Sequence, residues 1–391
     1  AVVRGFRFAG VSAGLKTKPG ALDLGLIAAD RPASAAAVFS ANRVKAAPVL
    51  VTMDRVRSGR LQAVIANSGC ANSFTGEAGM RLARDSCAEV ARLLGCAPAL
   101  VAPSSTGVIG HLYDFAKFRN GAADAVRSLR QDGLADFAQA IMTTDTRPKT
   151  AATTFKTGGS TITLSGAVKG VGMISPKMAT MLGYVVTDAA IGHAALKRSL
   201  KSALPTSFNA ITVDGDMSTN DTVIIMASGA AENRAFGARD QTTFDRAVSE
   251  ISAALARELV RDGEGATKLV TVEVRGARNP ADAEHAARQI ANSPLVKTAF
   301  FGCDPNVGRI LMAAGSSGAY LESDKLVLWI GGVKVAAHGR LLTDALPDAG
   351  AAMKAREFMV RLDLRLGKST ATILTCDLSY DYVRINAEYT T

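Results

Sequence analysis

Lys169-Gly170-Val171-Gly172-Met173-Ile174-Ser175-Pro176-Lys177-Met178-Ala179-Thr180-Met181-Leu182 is the most informative stretch of the 391-residue chain. Two glycines and a proline interrupt what would otherwise be strand sequence, and a small residue, Ala179, precedes a threonine that opens a new apolar run. A backbone bent in this way can bring Thr180 Oγ onto the Ala179 carbonyl, which a bulky preceding side chain would shield. An N-to-O acyl shift and hydrolysis of the ester would then free the α-amino group of Thr180. Such an amine has an unperturbed pKa of about 7.7–8, so near neutral pH it can serve as base for its own hydroxyl. On residue types alone the stretch reads equally as a loop entering a buried strand, the commoner use of such a pattern.

The composition around it bounds the protein class. A hydrophobic fraction of 48% with 20% charged residues belongs to a globular chain, long enough for two domains or one with an extension. No apolar run approaches the roughly 18–20 residues of a spanning helix, and the N-terminus, with Arg4, Gly5 and Arg7, has no signal-peptide core. The expectation is a cytoplasmic protein without a membrane partner. Five scattered cysteines form no C-x-x-C and four dispersed histidines form no H-E-x-x-H, which argues against a disulfide framework and against a metal site. The net charge of +10 is interspersed with acids, and aromatics make up only 5%. That is poor material for nucleic-acid binding and better suited to attracting anionic metabolites.

Periodicity supplies the elements. Met80, Ala83, Cys87, Val90 and Leu94 recur at helical spacing up to Gly95, and Phe244, Val248, Ile251, Leu255 and Leu259 do so up to Asp262-Gly263. Asn279-Pro280 opens a third helix that runs toward Ser293-Pro294, and a weaker one fits 189–204. Strand-like runs lie at 61–66, 161–168, 182–187, 222–227, 270–274, 326–330 and 370–374. Val270, Val272 and Val274 alternate with polar residues, as in a sheet with one covered face. The pattern predicts an α/β fold, a mixed sheet packed with helices or two sheets between helical layers. A domain boundary is expected near 275–280, with 276–391 forming most of a smaller domain, or near 146–152.

Four further segments carry chemistry. Ser104-Ser105-Thr106-Gly107-Val108-Ile109-Gly110 reads as a small turn able to aim donors at an oxyanion, although most such turns only connect elements. Met142-Thr143-Thr144-Asp145-Thr146 pairs two hydroxyls, and Lys169 is a cation suited to a carboxylate or simply a solvated lysine. Glu264 lies between glycines in Asp262-Gly263-Glu264-Gly265-Ala266-Thr267-Lys268, and the chain closes with Asn386-Ala387-Glu388-Tyr389-Thr390-Thr391.

Taken together these strings resemble the ornithine acetyltransferase family. K-G-x-G-M-I-x-P-x-M-A-T-M-L is similar to the signature at which members cleave themselves between alanine and threonine, and the likeness runs from the first quarter of the chain to its last residue. The resemblance implies an αββα-type sandwich with a smaller second α/β domain, and chains 1–179 and 180–391 that stay associated, as α2β2 or larger. It implies Thr180 as nucleophile, Thr106 and Gly107 as oxyanion hole, and Thr143 or Thr144, Lys169, Thr180, Glu264, Asn386 and Thr391 as substrate ligands. The reaction implied is acetyl transfer from N2-acetylornithine to glutamate, giving ornithine and N-acetylglutamate, with no cofactor and with acetyl-CoA open as a second donor. The alternatives are an amidase or aminopeptidase using the same Thr180, and a basic binding protein without activity. Two segments match without a derivable role, Val213 to Thr222, which reads as turn-rich structure, and Gly302 to Arg309; Asn67 to Gly76 also follows the family's pattern, with Ser73 and Phe74 as mild departures. In Gly302 to Arg309, Val307 stands where the family commonly has tryptophan.

Overall fold

The computed structural model describes residues 1–175 and 181–388. It divides into two compact units: Ala1–Asn209 with Asp216–Leu259, and Ala210–Gly215 with Val260 to the last described residue. The strands of the first are β1 (Phe6–Val11), β2 (Leu24–Phe39), β3 (Arg60–Cys70), β4 (Val101–Val108), β5 (Lys149–Thr157), β6 (Ser160–Lys169), β7 (Leu182–Thr187) and β8 (Thr222–Ala227). Its helices are α1 (Ala47–Arg55), α2 (Gly76–Leu94), α3 (Phe115–Arg127), α4 (Leu134–Ala140), α5 (His193–Ala203) and α6 (Ala238–Arg261).

Among the described residues these strands share one hydrogen-bonded sheet, ordered β4-β3-β2-β8-β7-β6-β5 with β1 on β2. The β3/β4 and β7/β8 pairs are parallel and the other neighbours antiparallel. β2 is 16 residues long and serves both halves: Leu24 to Ala28 pair with β3, Ser34 to Phe39 with β8, and the register slips between. Pro32, which cannot donate to a ladder, lies in that slip. The sheet thereby folds into two leaves. Phe8 of β1, Val64 of β3, Tyr184 of β7 and Ile224 of β8 meet in one core between them, each of the large side chains contributing about 1.5–3 kcal/mol. α4 closes this core with Phe137, whose ring meets Tyr184 edge-on at 5.1 Å.

Helices cover the outer faces. Leu24 and Leu26 of β2 and Ala63 and Ile65 of β3 point away from the inner core, toward Val51 of α1, Cys87 and Val90 of α2 and Phe118 of α3. On the other leaf Leu255 of α6 packs on Gly166 of β6, and Phe244 lies 6.4 Å from Phe155 of β5. This is the expected helix–sheet–sheet–helix layering, with the two sheets continuous through β2.

The second unit has its own sheet: β9 (Leu269–Ala277), β10 (Val327–Ile330), β11 (Val333–Ala337), β12 (Arg340–Leu341), β13 (Glu357–Asp363) and β14 (Ser369–Cys376), ordered β12-β11-β10-β13-β9-β14. With them come α7 (Pro280–Asn292), α8 (Pro294–Phe301), α9 (Val307–Gly315), α10 (Leu346–Ala352) and α11 (Tyr380–Glu388). Val270, Val272 and Val274 of β9 are buried against Ala286 and Ile290 of α7, Phe300 of α8 and Ile310 of α9. Asn279 caps α7 as its sequence indicates, Oδ1 accepting from Asp282 N at 2.8 Å.

The units part at Leu259/Val260, ahead of the 275–280 suggested by sequence, because 269–277 is a strand with partners on both sides. Residues 146–152 lie within the first unit and lead into β5. Val307 begins α9, is buried in the second core and lines a cavity of about 800 Å³ with Leu311, Tyr320 and Leu341. No helix among the described residues is long and apolar enough to cross a membrane.

Candidate active site

Ser104 to Gly107 form the end of β4, where a turn was expected. The strand runs parallel to β3 with Asn67 beside Ser105, Ser68 beside Thr106 and Gly69 beside Gly107. Gly107 has φ +127°, and a Cβ there would lie 2.4 Å from the Gly69 carbonyl carbon and 2.7 Å from Cys70 N. Both the torsion and the close backbone approach require glycine.

Three of the sequence motifs converge on one side chain. Lys169, buried at the end of β6, donates from Nζ to Thr143 Oγ1 at 2.7 Å and to Thr106 Oγ1 at 3.3 Å. Asp145 Oδ2 lies 3.8 Å from the same ammonium. Asp145 is itself buried, its Oδ1 accepting from Lys149 Nζ at 2.6 Å and Gly170 N at 2.8 Å, its Oδ2 from Thr143 N at 3.0 Å. Burial alone would raise its pKa, but the charges of Lys169 and Lys149 and the bonds it accepts outweigh that and hold it at about 2. This carboxylate therefore orders Lys169 and the Thr143 backbone together. Asp145 and Lys149 drew no role in the sequence reading. The available signal was an acid inside a threonine run followed closely by Arg147 and Lys149.

Because the folded pKa is depressed, the stabilisation from Asp145 is fully present above the ordinary carboxylate range and is lost as pH falls from about 4 toward about 2. Asp145→Asn, which leaves two buried lysines short of their counter-charge, should cost about 3–5 kcal/mol in a urea or thermal unfolding curve. An unchanged midpoint would mean that the cluster contributes nothing to stability.

Asn67 to Gly76 and Val213 to Thr222, the latter left without a derivable role by sequence, support this site. Asn67 Oδ1 accepts from Ser105 Oγ at 2.6 Å, and its Nδ2 donates to Cys70 O at 2.9 Å. Asn220 Nδ2 bridges Ala71 O at 2.7 Å and Ser105 O at 2.8 Å, while Ser73 Oγ donates to Thr219 Oγ1 at 2.9 Å. Residues 218–222 thus brace the ends of β3 and β4, which corrects their reading as structural turns alone. Met181 N donates to Asp221 Oδ1 at 2.9 Å, and Thr222 N donates to Met181 O at 3.1 Å.

In the second unit Glu264 and Asn386 meet. Asn386 Nδ2, on α11, donates to Glu264 Oε2 at 2.8 Å. The loop holding Glu264 is fixed by Asp377, which accepts from Thr267 N at 2.8 Å and Lys268 N at 2.9 Å, and by Ser379 Oγ donating to Gly265 O at 2.6 Å. Gly265 sits at φ +66°, where a Cβ would lie 2.5 Å from Tyr382 N. Ala179, Thr180 and Thr391 lie outside the described residues. Thr144 follows Thr143 directly and is half-buried.

A buried lysine, two threonine hydroxyls and a doubly paired carboxylate are costly furniture, retained where a small polar substrate is handled. The protein is an enzyme. It belongs to the ArgJ family, whose model, described as "ArgJ family", matches residues 7–391. The chain is 50% identical to a Geobacter sulfurreducens protein named "Arginine biosynthesis bifunctional protein ArgJ" over all of both sequences. It is 45% identical to the Symbiobacterium thermophilum protein of the same name, across 99% of this chain and 97% of that one. Among solved structures, the arginine biosynthesis bifunctional protein argJ of Bacillus halodurans is similar at 43% identity and a TM-score of 0.52, with 54% of this chain and 100% of that chain covered.

Proposed function

We propose that the chain is an acetyltransferase of arginine biosynthesis, moving acetyl from N2-acetylornithine to glutamate through an ester on Thr180. The observation that carries the reading is Lys169, whose ammonium gathers Thr106 and Thr143 around one point at the end of β6. The names borne by the relatives support it.

In this scheme Thr180 Oγ adds to the acetyl carbonyl, and the free α-amine of Thr180 takes the hydroxyl proton. Thr106 and Gly107 hold the tetrahedral oxyanion, and one such donor typically supplies about 3–4 kcal/mol of transition-state stabilisation. Collapse breaks the C–N bond and returns the proton to the departing ornithine. The amine of glutamate then attacks the ester, breaks the C–O bond and leaves as N-acetylglutamate, regenerating the hydroxyl. Lys169 pairs with the substrate carboxylate and Thr143, with Thr144 next to it, binds the acyl-amino acid. Glu264, Asn386 and Thr391 take the cationic end of ornithine.

The cycle needs no metal or nucleotide. Acetyl-CoA would load the same hydroxyl through its thioester. Self-cleavage before Thr180 gives chains 1–179 and 180–391 that remain one folded unit and pair further, as α2β2 or larger, in the cytoplasm.

Intact mass spectrometry of the denatured protein tests the whole reading. Two fragments meeting at Ala179 and Thr180, with one acetyl added to the C-terminal fragment after exposure to N2-acetylornithine, are expected. Acetate released equally with and without glutamate would instead make the protein a hydrolase. Glu264→Gln should raise KM for N2-acetylornithine by about tenfold and leave kcat within about twofold, as loss of uniform binding does. An unchanged KM would remove Glu264 from the substrate site.

A further inference from the structure

Asp221 is fully buried, and no proposed step uses it. Its Oδ1 accepts the Met181 amide at 2.9 Å, while its Oδ2 is buried without a hydrogen-bond partner among the described residues. Ser40 lies beside it, but the Ser40 hydroxyl donates to Ser218 O at 2.6 Å. We propose that Asp221 is a positioning residue for Thr180, gripping the amide of the next residue while Asn220 grips the strand end bearing Thr106 and Gly107. The inference rests on Thr180 being the nucleophile.

The geometry is that of a bracket. Asn220 Nδ2 holds Ser105 O, one residue before Thr106, and Ala71 O, just past β3. Asp221, the next residue, holds Met181 N, and Thr222 N returns to Met181 O at 3.1 Å. Asn220 is tied down in turn, its N donating to Ser218 Oγ at 3.0 Å and its Oδ1 accepting from Thr219 Oγ1 at 2.6 Å. Three consecutive residues therefore fix the spacing between the end of β4 and the start of β7. A reacting hydroxyl and its oxyanion donors depend on that spacing, and a misplacement of about 1 Å can cost about 10²-fold in rate.

The acid works uncharged. A carboxylate at this position would leave a buried, charged oxygen without a hydrogen-bond partner among the described residues. Burial pushes the Asp221 carboxyl well above the usual carboxylate range, against the Met181 amide, the neighbouring Ser40 hydroxyl and the more distant pull of Lys169. A neutral acid offers one acceptor and one O–H, which the amide of asparagine reproduces as one acceptor and N–H donors.

The test compares wild type, Asp221→Asn and Asp221→Ala for extent of cleavage by intact mass, kcat and KM for N2-acetylornithine, and melting temperature. Asp221→Ala should cleave slowly and lose about 100-fold in kcat with KM within about threefold, while Asp221→Asn stays within about threefold of wild type in both. If Asp221→Ala does not fold, Asn220→Ser carries the test and should show the same kcat-selective loss. A stable, fully cleaved Asp221→Ala with kcat near wild type overturns the positioning role alone. A folded Asp221→Asn as impaired as Asp221→Ala overturns the neutral acid. Wild type that neither cleaves nor takes up acetyl overturns the functional reading and this inference with it.

Discussion

Thr180→Ala should yield a single uncleaved chain that takes up no acetyl group and transfers none. Removing the hydroxyl deletes both reactions at once, since the same oxygen attacks the Ala179 carbonyl during maturation and the acetyl carbonyl during turnover. Losing a covalent nucleophile that acts as a unit with its base typically costs more than about 10³-fold in kcat. The fold should survive, because β7 is held by its own pairings: Leu182 lies opposite Lys169 of β6 and Thr222 of β8, and the ladder continues to Thr187. The variant is therefore expected to melt close to wild type. Thr180→Ser, which keeps a hydroxyl, should cleave and turn over at a reduced rate. Cleaved or active Thr180→Ala would remove Thr180 from the scheme and place the nucleophile on another residue.

The second large effect is expected at Gly107. Alanine at this position brings Cβ to 2.4 Å from the Gly69 carbonyl carbon and asks a residue with a side chain to hold φ +127°. Neither strain is relieved by turning a flexible side chain, since the obstacle is the backbone of β3 at its bulge. The ends of β3 and β4 must separate, and with them moves the oxyanion donor assigned to Gly107. Gly107→Ala is predicted to lose at least about 10²–10³-fold in kcat, and its melting temperature should fall as well. Thr106→Val separates the two consequences, because it removes a hydroxyl without touching the backbone torsion. It should lose activity with a much smaller change in stability. Gly107→Ala with wild-type kcat would place the oxyanion donor elsewhere.

Local pattern carried far in this chain. β7 and β8 begin and end at the residues marked by their apolar runs, and α7 starts at Pro280 behind its Asn279 cap. These elements declare themselves because period, cap and breaker are properties of neighbouring residues. β2 was missed, since Asp30-Arg31-Pro32 reads as a turn and its second half is mostly alanine. β5 was missed because its alternate threonines and lysines carry little apolar signal, one face of the strand being solvated. β4 was mistaken for a turn. Its Pro103, Ser104, Ser105 and Gly107 are turn residues by type, and only the parallel partner β3 makes them a strand.

The site divides the same way. Thr106, Gly107, Thr143, Lys169, Glu264 and Asn386 stood out only through the likeness of their contiguous motifs to the ornithine acetyltransferase family, since by residue type alone each reads as ordinary loop or turn. Their order in sequence says nothing of Lys169 reaching back 63 positions to Thr106, or of Asp145 being buried between two ammonium groups. Nor does it say that Asn220 and Asp221 brace two strand ends at once. Those facts depend on which strands pair and in what register, and pairing is settled by burial across the whole sheet, a quantity no local window contains. The sequence by itself determined which chemical groups this protein has to hand; the tertiary structure alone decided which of them, such as Lys169, Thr106, Thr143 and Asp145, share a dry, low-dielectric space where distance and desolvation set their interactions.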